Sequence, residues 1–238
     1  MCKPYFLVVR ILLVIVFFLT AQPSNDFFAE WNDDYVYYFY NHFELDCKGL
    51  DYHVYETAMK GYVALRAEGK LIKKDIVSII DYELPSTEPR FWILNLKTGE
   101  VTKKLHVAHG RNTGLNYARA FSNIDGSKQS SLGFYVTAET YSGQHGYSLR
   151  LNGQERGWNN NARRRAIVIH GADYVSNDIV DSYGRLGRSW GCPALSYDVC
   201  PEVIDIIKNG SCLFIYGGNK KYEKSSPILC KANADLSV

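Results

Sequence analysis

Short β-rich runs separated by glycine-containing turns most constrain how this chain of 238 residues can fold. Residues 91–96 and 101–107 flank the turn 97–100, an order that predicts a β-hairpin. The other β-rich runs cover 76–80, 133–139, 147–151, 166–170 and 213–216. The chain contains 19 glycines and 18 tyrosines but two methionines. A mainly β domain is therefore predicted, rather than a helical bundle.

Two segments carry the pattern of a helix. Apolar residues recur every three or four positions across 47–68, and Gly69 ends that pattern. The second segment is 197–208, which we expect Ser196 to cap and residues 209–210 to end. These positions predict an N-terminal helix and a short helix that follows the glycine-rich loop around residue 192.

The chain divides into four parts by composition. We expect a signal peptide at 1–21, an aromatic lead-in and helix at 22–69, the β domain at 70–218 and a polar tail at 219–238. The tail is expected to be held loosely unless Cys230 ties it down by a disulfide, and we predict that Cys230 is paired.

The first residues have the layout of a secretory signal. Lys3 and Arg10 precede the apolar run 11–19, and small residues follow before Pro23. The run is shorter than the roughly 20 residues that span a bilayer, although an uncleaved anchor stays open as an alternative. We therefore expect export to the periplasm, the extracellular space or the cell wall, with no stable membrane association after signal removal.

Charge excludes a nucleic-acid-binding protein. The first 21 residues contain two basic residues and no acidic one, so the remaining chain has 25 of each sign. A balanced chain lacks the basic surface that binds phosphate backbones. The run Arg163-Arg164-Arg165 is short, and we interpret it as a solvated turn before a strand rather than an anion site.

Cysteine parity indicates a free thiol. The exported chain would contain five cysteines: Cys47, Cys192, Cys200, Cys212 and Cys230. An odd number in an oxidising compartment leaves at least one cysteine free or paired between chains.

A histidine after a β-rich run and a cysteine in a glycine-rich loop form the sharpest chemical signal. His170-Gly171 ends one predicted strand, and Cys192 follows His170 by 22 residues. A thiol nucleophile needs a nearby base that removes its proton and returns it to the leaving group. Pro193 disfavours a helix at Cys192, and the N–H groups of Gly191 and Cys192 could form an oxyanion hole. Taken alone, the cysteine could equally be a structural thiol and the histidine a structural side chain.

No metal site or cofactor is predicted. His106 and His109 have a spacing seen in metal sites, but residues three apart on a strand face opposite sides. His145, in a glycine-flanked loop, is expected to line the cleft.

Several motifs in order resemble the L,D-transpeptidase catalytic-domain family (YkuD-type), in particular its murein L,D-transpeptidase branch. The resemblance covers about residues 75–217. The motifs that carry it are Val107-Ala108-His109-Gly110, Phe121-Ser122-Asn123, Ser130-Ser131-Leu132-Gly133, Tyr141-x-Gly143-x-His145-Gly146, His170-Gly171 and Gly187-Arg188-Ser189-Trp190-Gly191-Cys192-Pro193. Typical members carry a second histidine where this chain has Trp190, and an arginine or asparagine where it has Ala194.

The resemblance implies a fold, a reaction and a set of site residues. The fold would be a β-sandwich or barrel-like catalytic domain. Cys192 would attack a peptidoglycan stem peptide before D-alanine, forming a thioester that another stem's amine resolves into a cross-link. His170 would be the base, and Gly191, Ser189 and Gly171 would support the pair. Substrate contacts would come from Arg188, Tyr141, His145, His109 and Trp190.

Alternatives remain open from the sequence. Water as acceptor would make the chain an L,D-carboxypeptidase. A disulfide from Cys192 to Cys200 or Cys212 would make it an inactive wall-binding module. A cysteine peptidase of the NlpC/P60 kind is disfavoured because it places the cysteine before the histidine. We expect a monomer that acts on peptidoglycan stem peptides.

Overall fold

The computed structural model describes residue 28 and residues 30–235. The predicted signal peptide at 1–21 therefore lies outside the described residues. Within the described part, no helix is both long and apolar enough to cross a membrane.

Eight strands of the described chain form one sheet that nearly closes into a barrel. They are β1 (Ile76–Asp81), β2 (Phe91–Asn95), β3 (Glu100–Leu105), β4 (Gly133–Gly143), β5 (Gly146–Gly153), β6 (Val168–Gly171), β7 (Ala194–Leu195) and β8 (Cys212–Tyr216). Their order is β3-β2-β1-β8-β4-β5-β6-β7. Ala108, just beyond β3, bridges to Ala194 of β7, so the two edges of the sheet meet. The predicted mainly β fold and the β2–β3 hairpin are confirmed.

Six helices accompany the sheet in the described part. They are α1 (Asp33–His42), α2 (Tyr52–Ala67), α3 (Asn177–Tyr183), α4 (Cys200–Ile207), α5 (Lys220–Ser225) and α6 (Pro227–Asp235). Helix α2 starts later than predicted because the Asp51 carboxylate accepts the N–H groups of His53 and Val54 as an N-cap. Helix α4 confirms the predicted helix after the Cys192 loop. The expected Ser196 side-chain cap was wrong, because no side chain caps α4 and its first turn contains Pro201.

The core lies between α2 and the sheet. The rings of Phe134 on β4 and Phe214 on β8 stack with centroids 4.3 Å apart. Gly61 of α2 lies directly above this pair, and a Cβ at Gly61 would be 2.0 Å from the Phe134 ring. A glycine is therefore needed for the helix to approach the sheet this closely.

The C-terminal tail is not loose. Helices α5 and α6 contain the buried side chains Tyr222 and Leu229. The fully buried Glu155 carboxylate accepts hydrogen bonds from the hydroxyls of Tyr222 and Ser226 and from the Phe134 N–H. This buried carboxylate fastens the tail to β4, a contact that the polar tail sequence does not reveal.

Cys192, Cys200, Cys212 and Cys230 are free thiols. The predicted pairing of Cys230 was therefore wrong: its thiol is exposed and lies near the Lys224 carbonyl. Cys200 and Cys212 are buried as small apolar side chains. Packing and the Glu155 hydrogen bonds hold the tail without a covalent bond.

Candidate active site

The pairing of β6 with β7 places the strand that ends in His170 next to the segment that follows Cys192. His170 pairs in parallel with Ala194, which follows Cys192 by two residues. Cys192 lies in a bend two residues before this pair, so the loop that carries the cysteine ends beside His170. Ile169 lies between Val168 and His170 on the opposite face of β6 and packs into the main core. The opposite faces of β6 thus serve the core and the site.

The His170 imidazole is oriented by the backbone. Its Nδ1 lies 2.8 Å from the Gly171 carbonyl oxygen, which can only accept, so Nδ1 carries the hydrogen. Nε2 then holds the lone pair that a general base needs. Burial lowers the pKa of His170, and the nearby His145 lowers it further. The neutral, basic form of His170 is therefore favoured.

Two other groups frame His170. The His145 ring, on the tight turn between β4 and β5, stacks on the His170 ring with centroids 4.3 Å apart and planes 22° apart. On the other side, a Cβ at Gly171 would be 2.4 Å from the Tyr197 ring. Gly171 therefore allows Tyr197 to close over the strand end. His145 therefore packs directly against His170, and its role in lining a cleft stays a prediction.

Cys192 lies in a loop, as its sequence context predicts, and is partly exposed. Its Sγ is 3.6 Å from the Ala166 carbonyl oxygen, which can accept the thiol hydrogen. Burial raises the pKa of Cys192 above its usual range, while the Val168 N–H and the Arg165 charge lower it by smaller amounts. Cys192 is therefore favoured as a thiol rather than a thiolate.

Ser189 shapes the cysteine loop. Its hydroxyl donates to the Cys192 carbonyl oxygen at 2.6 Å and accepts the Gly191 N–H at 3.0 Å. The Ser189 hydroxyl is therefore occupied within the loop. The Gly191 N–H is likewise occupied and is not free to form the predicted oxyanion hole. No hydrogen bond within the described part of the chain uses the Cys192 N–H, which leaves it available.

The segment that follows β3 forms backbone hydrogen bonds with the cysteine loop. Backbone hydrogen bonds run from the Ser189 N–H to the His109 carbonyl, and from the Arg111 N–H to the Ser189 carbonyl. The Ser130 hydroxyl donates to the Gly191 carbonyl at 3.1 Å. Three motif segments that are distant in sequence thus meet at the cysteine loop.

His109 supports the site from inside the protein. Its side chain is buried, and its Nδ1 lies 2.7 Å from Arg90 Nη2, which can only donate. Burial, with a further contribution from the Arg90 charge, lowers the pKa of His109 to about 3. The expected substrate contact by His109 was therefore wrong, because the imidazole is enclosed. His106 instead lies against the Thr87 carbonyl, so the two imidazoles have separate partners.

Two aromatic side chains border the site. Trp190 is 70% exposed, and Lys128 Nζ lies 4.4 Å from its ring centroid. Tyr141 on β4 lies beneath the Arg150 guanidinium at 4.2 Å. Both rings are therefore partly covered by cations rather than packed in the core.

Arg188 belongs to a group of three arginines. Its Nη1 donates to the carbonyls of Arg111 and Gly114. Burial lowers the pKa of Arg188, as do the charges of Arg185 and Arg111 nearby. In the part of the chain that the structure describes, none of these three arginines forms an ion pair with an acidic side chain. The group therefore concentrates positive charge at this part of the surface.

Three residues near the thiol escaped the sequence analysis. Arg165, Tyr82 and Tyr174 all lie close enough to Cys192 for their charges to interact. The three-arginine run was interpreted as solvated, which holds for Arg163 and Arg164 but not for the third member. The run gives no signal that separates its last residue from the others.

The free state of Cys192 bears on the inactive-module alternative. That alternative needs Cys192 bonded to Cys200 or Cys212, and all three cysteines are free. The disulfide that an inactive module would need at Cys192 is therefore not present in the structure.

Comparison with known proteins gives one family and a set of solved structures. The family model described as the L,D-transpeptidase catalytic domain matches residues 46–216. An L,D-transpeptidase from Mycobacterium smegmatis shares 15% identity with a TM-score of 0.37, over 59% of this chain and 58% of its own. The helical cell shape determining protein of Campylobacter jejuni shares 14% identity with a TM-score of 0.41, over 76% and 64%.

A third solved structure, an L,D-transpeptidase of Enterococcus faecium, shares 13% identity with a TM-score of 0.35, over 60% of this chain and 50% of its own. The chain thus spans less than two thirds of the length of each of these neighbours. No curated protein matches it.

Proposed function

Because the chain belongs to the L,D-transpeptidase catalytic domain family, we propose that it is an exported cysteine L,D-transpeptidase acting on peptidoglycan stem peptides. The observation that carries this proposal is the register of β6 and β7, which brings His170 beside the Cys192 loop. Release of D-alanine and formation of a cross-link would follow from a thioester on Cys192.

The neutral state of both groups defines the first step. A thiol attacks poorly, so its proton must leave as the sulfur approaches the peptide carbonyl. His170 accepts that proton at Nε2, because its Nδ1 is committed to the Gly171 carbonyl. The Sγ–carbon bond then forms, and negative charge develops on the carbonyl oxygen.

The Cys192 N–H is the donor left to receive that charge, since Ser189 already binds the Gly191 N–H. Collapse of the tetrahedral intermediate breaks the carbon–nitrogen bond, and His170 returns its proton to the departing D-alanine amine. A second stem's amine then attacks the thioester, and His170 takes the proton from that amine. Sulfur leaves and recovers a proton, so the enzyme is regenerated.

The arginine group offers a basis for substrate recognition. Stem peptides carry several carboxylates, and a guanidinium binds a carboxylate with two parallel hydrogen bonds. Arg188 precedes Cys192 by four residues, so the arginine group is anchored in the same loop as the thiol. Trp190 and Tyr141 would cover the apolar parts of the peptide.

The test is D-alanine release from a tetrapeptide stem, with intact-mass detection of an acyl adduct on the protein. Cys192→Ala should abolish both, because no other group at the site can form the thioester. His170→Ala should lower turnover by about 10²–10⁴-fold, the usual contribution of a proton-transfer group. Cys230→Ser, which removes an exposed thiol, is the matched control and should turn over normally.

Undiminished release by Cys192→Ala would end the proposal. Release of D-alanine without cross-linked product, when acceptor stems are present, would identify a carboxypeptidase instead. Export is checked by the N-terminus of the protein from its host, which we expect near residues 20–25 from the signal pattern.

A further inference from the structure

Three consecutive arginines before β6 have different environments. Arg163 pairs with Glu139 and Arg164 with Asp125, and both side chains are largely exposed. Arg165 instead turns inward and is partly buried. The burial of Arg165 needs a structural explanation, because burying a guanidinium costs free energy unless its N–H donors are hydrogen-bonded.

The guanidinium of Arg165 is held by the segment 122–131. Its Nη1 donates to the Ser122 carbonyl and the Ser131 hydroxyl. Its Nη2 donates to the Gln129 carbonyl at 2.6 Å and to the Ser127 hydroxyl at 3.2 Å. All four acceptors are neutral, and the acidic group close enough to interact with Arg165 is Asp125, whose carboxylate forms its ion pair with Arg164.

That position is beside the nucleophile. Arg165 Nη2 lies 3.4 Å from where a Cβ on Gly191 would stand, and Gly191 precedes Cys192. The next residue, Ala166, has a left-handed backbone with φ of +52°, and its carbonyl approaches the Cys192 Sγ at 3.6 Å. The turn that carries the arginine therefore also lines the thiol.

The other titratable groups around the thiol are neutral under ordinary conditions. Burial raises the pKa of Tyr82 to about 12 and also raises the pKa of Tyr174, so both hydroxyls stay protonated. Burial lowers the pKa of His170, on which the His145 ring stacks. Arginine, by contrast, stays charged at any pH that a folded protein tolerates.

We propose that Arg165 is a positioning residue whose fixed positive charge stabilises the Cys192 thiolate. When His170 removes the thiol proton, the sulfur becomes negative in a partly buried site, where an opposite charge acts more strongly than in water. The neutral imidazole cannot supply that charge before the transfer. This inference deepens the proposed function, yet the reactivity of the thiol tests it without any peptide.

The experiment measures alkylation of Cys192 by iodoacetamide as a function of pH, followed by intact mass. A background carrying Cys47→Ser and Cys230→Ser removes the two exposed competing thiols. Arg165→Gln should raise the alkylation midpoint by about one pH unit or more, the usual effect of an adjacent opposite charge. Because the thiolate of a weaker acid is more nucleophilic, the rate at fixed pH should fall only about threefold.

Two further variants separate charge from structure. Arg163→Gln removes a surface arginine of the same run, one that pairs with Glu139, and should leave the midpoint unchanged. Arg165→Lys keeps the charge but fewer hydrogen bonds, so its midpoint should stay near that of the parent even where its melting temperature falls. This variant also decides the matter if Arg165→Gln does not fold.

A midpoint unchanged in Arg165→Gln, or shifted in Arg165→Lys together with its melting temperature, would overturn the inference. A shifted midpoint in a protein that releases no D-alanine would instead sink the proposed function and leave the role of Arg165 standing.

Discussion

Acidification should destabilise this protein through one buried imidazole. His109 is enclosed, and its Nδ1 accepts a hydrogen bond from Arg90. Protonation would place a second positive charge against that guanidinium. Burial and the Arg90 charge therefore lower the pKa of His109 to about 3 in the folded state.

The sign and size of the effect follow from this pKa. The unfolded chain binds a proton at His109 near pH 6.5, whereas the folded chain resists it until about pH 3. The contribution of His109 to stability is thus complete above pH 6.5 and is lost as the pH falls. The loss is about 1.4 kcal/mol per pH unit, or about 2 kcal/mol of unfolding free energy between pH 7 and pH 5.

The test compares urea unfolding of the parent and His109→Asn at pH 7 and pH 5. Asparagine offers an amide oxygen to Arg90 but does not titrate, so its unfolding free energy should change less on acidification by about 2 kcal/mol. Asp81, whose burial raises its pKa to about 6, acts in the opposite direction but equally in both proteins. His53→Asn, at an exposed imidazole, is the matched control.

An equal pH dependence in the parent and His109→Asn would refute the reasoning. It would mean that the folded protein accommodates a charged imidazole next to Arg90.

Two other substitutions test the geometry of the loop and the tail. Gly191→Ala should lower D-alanine release at least about 100-fold, because Gly191 has φ of +127° and an added Cβ would lie 2.7 Å from the Gln129 carbonyl; normal turnover would contradict this. Glu155→Ala should cost about 3–5 kcal/mol of unfolding free energy and expose α5 to limited proteolysis, since Tyr222 and Ser226 lose their acceptor. A tail that stays resistant to protease would show that packing alone holds it.

The sheet could be predicted because each strand is marked by a local run of β-forming residues next to a turn. The run 91–96 and its turn are visible without knowing any partner, and β2 covers Phe91–Asn95. Helix α1 (Asp33–His42) was not predicted, because it is rich in aromatic residues, whose intrinsic preference is for strands. Asn32 caps it, and Phe39 and Tyr40 are buried, so tertiary packing decides its structure.

The site likewise contains some features that the sequence predicts and others that it does not. The pair of His170 and Cys192 is marked by neighbouring glycines and by family motifs, so the sequence points to it. The burial of His109 depends on Arg90, which lies 19 residues away in the chain. Occupation of the Gly191 N–H by Ser189 depends on the path of the loop. Contacts of this kind carry no periodic or compositional signal.

The electrostatics of the site suit the compartment that we propose. The thiolate, not the thiol, is the form that is oxidised or that attacks disulfides. A nucleophile that rests as a thiol is therefore protected in an oxidising space where its own chain exposes Cys47 and Cys230. The same protonation lowers its reactivity toward substrate, so the reaction depends on a base and a fixed cation acting together. His170 supplies the first, and the position of Arg165 fits the second.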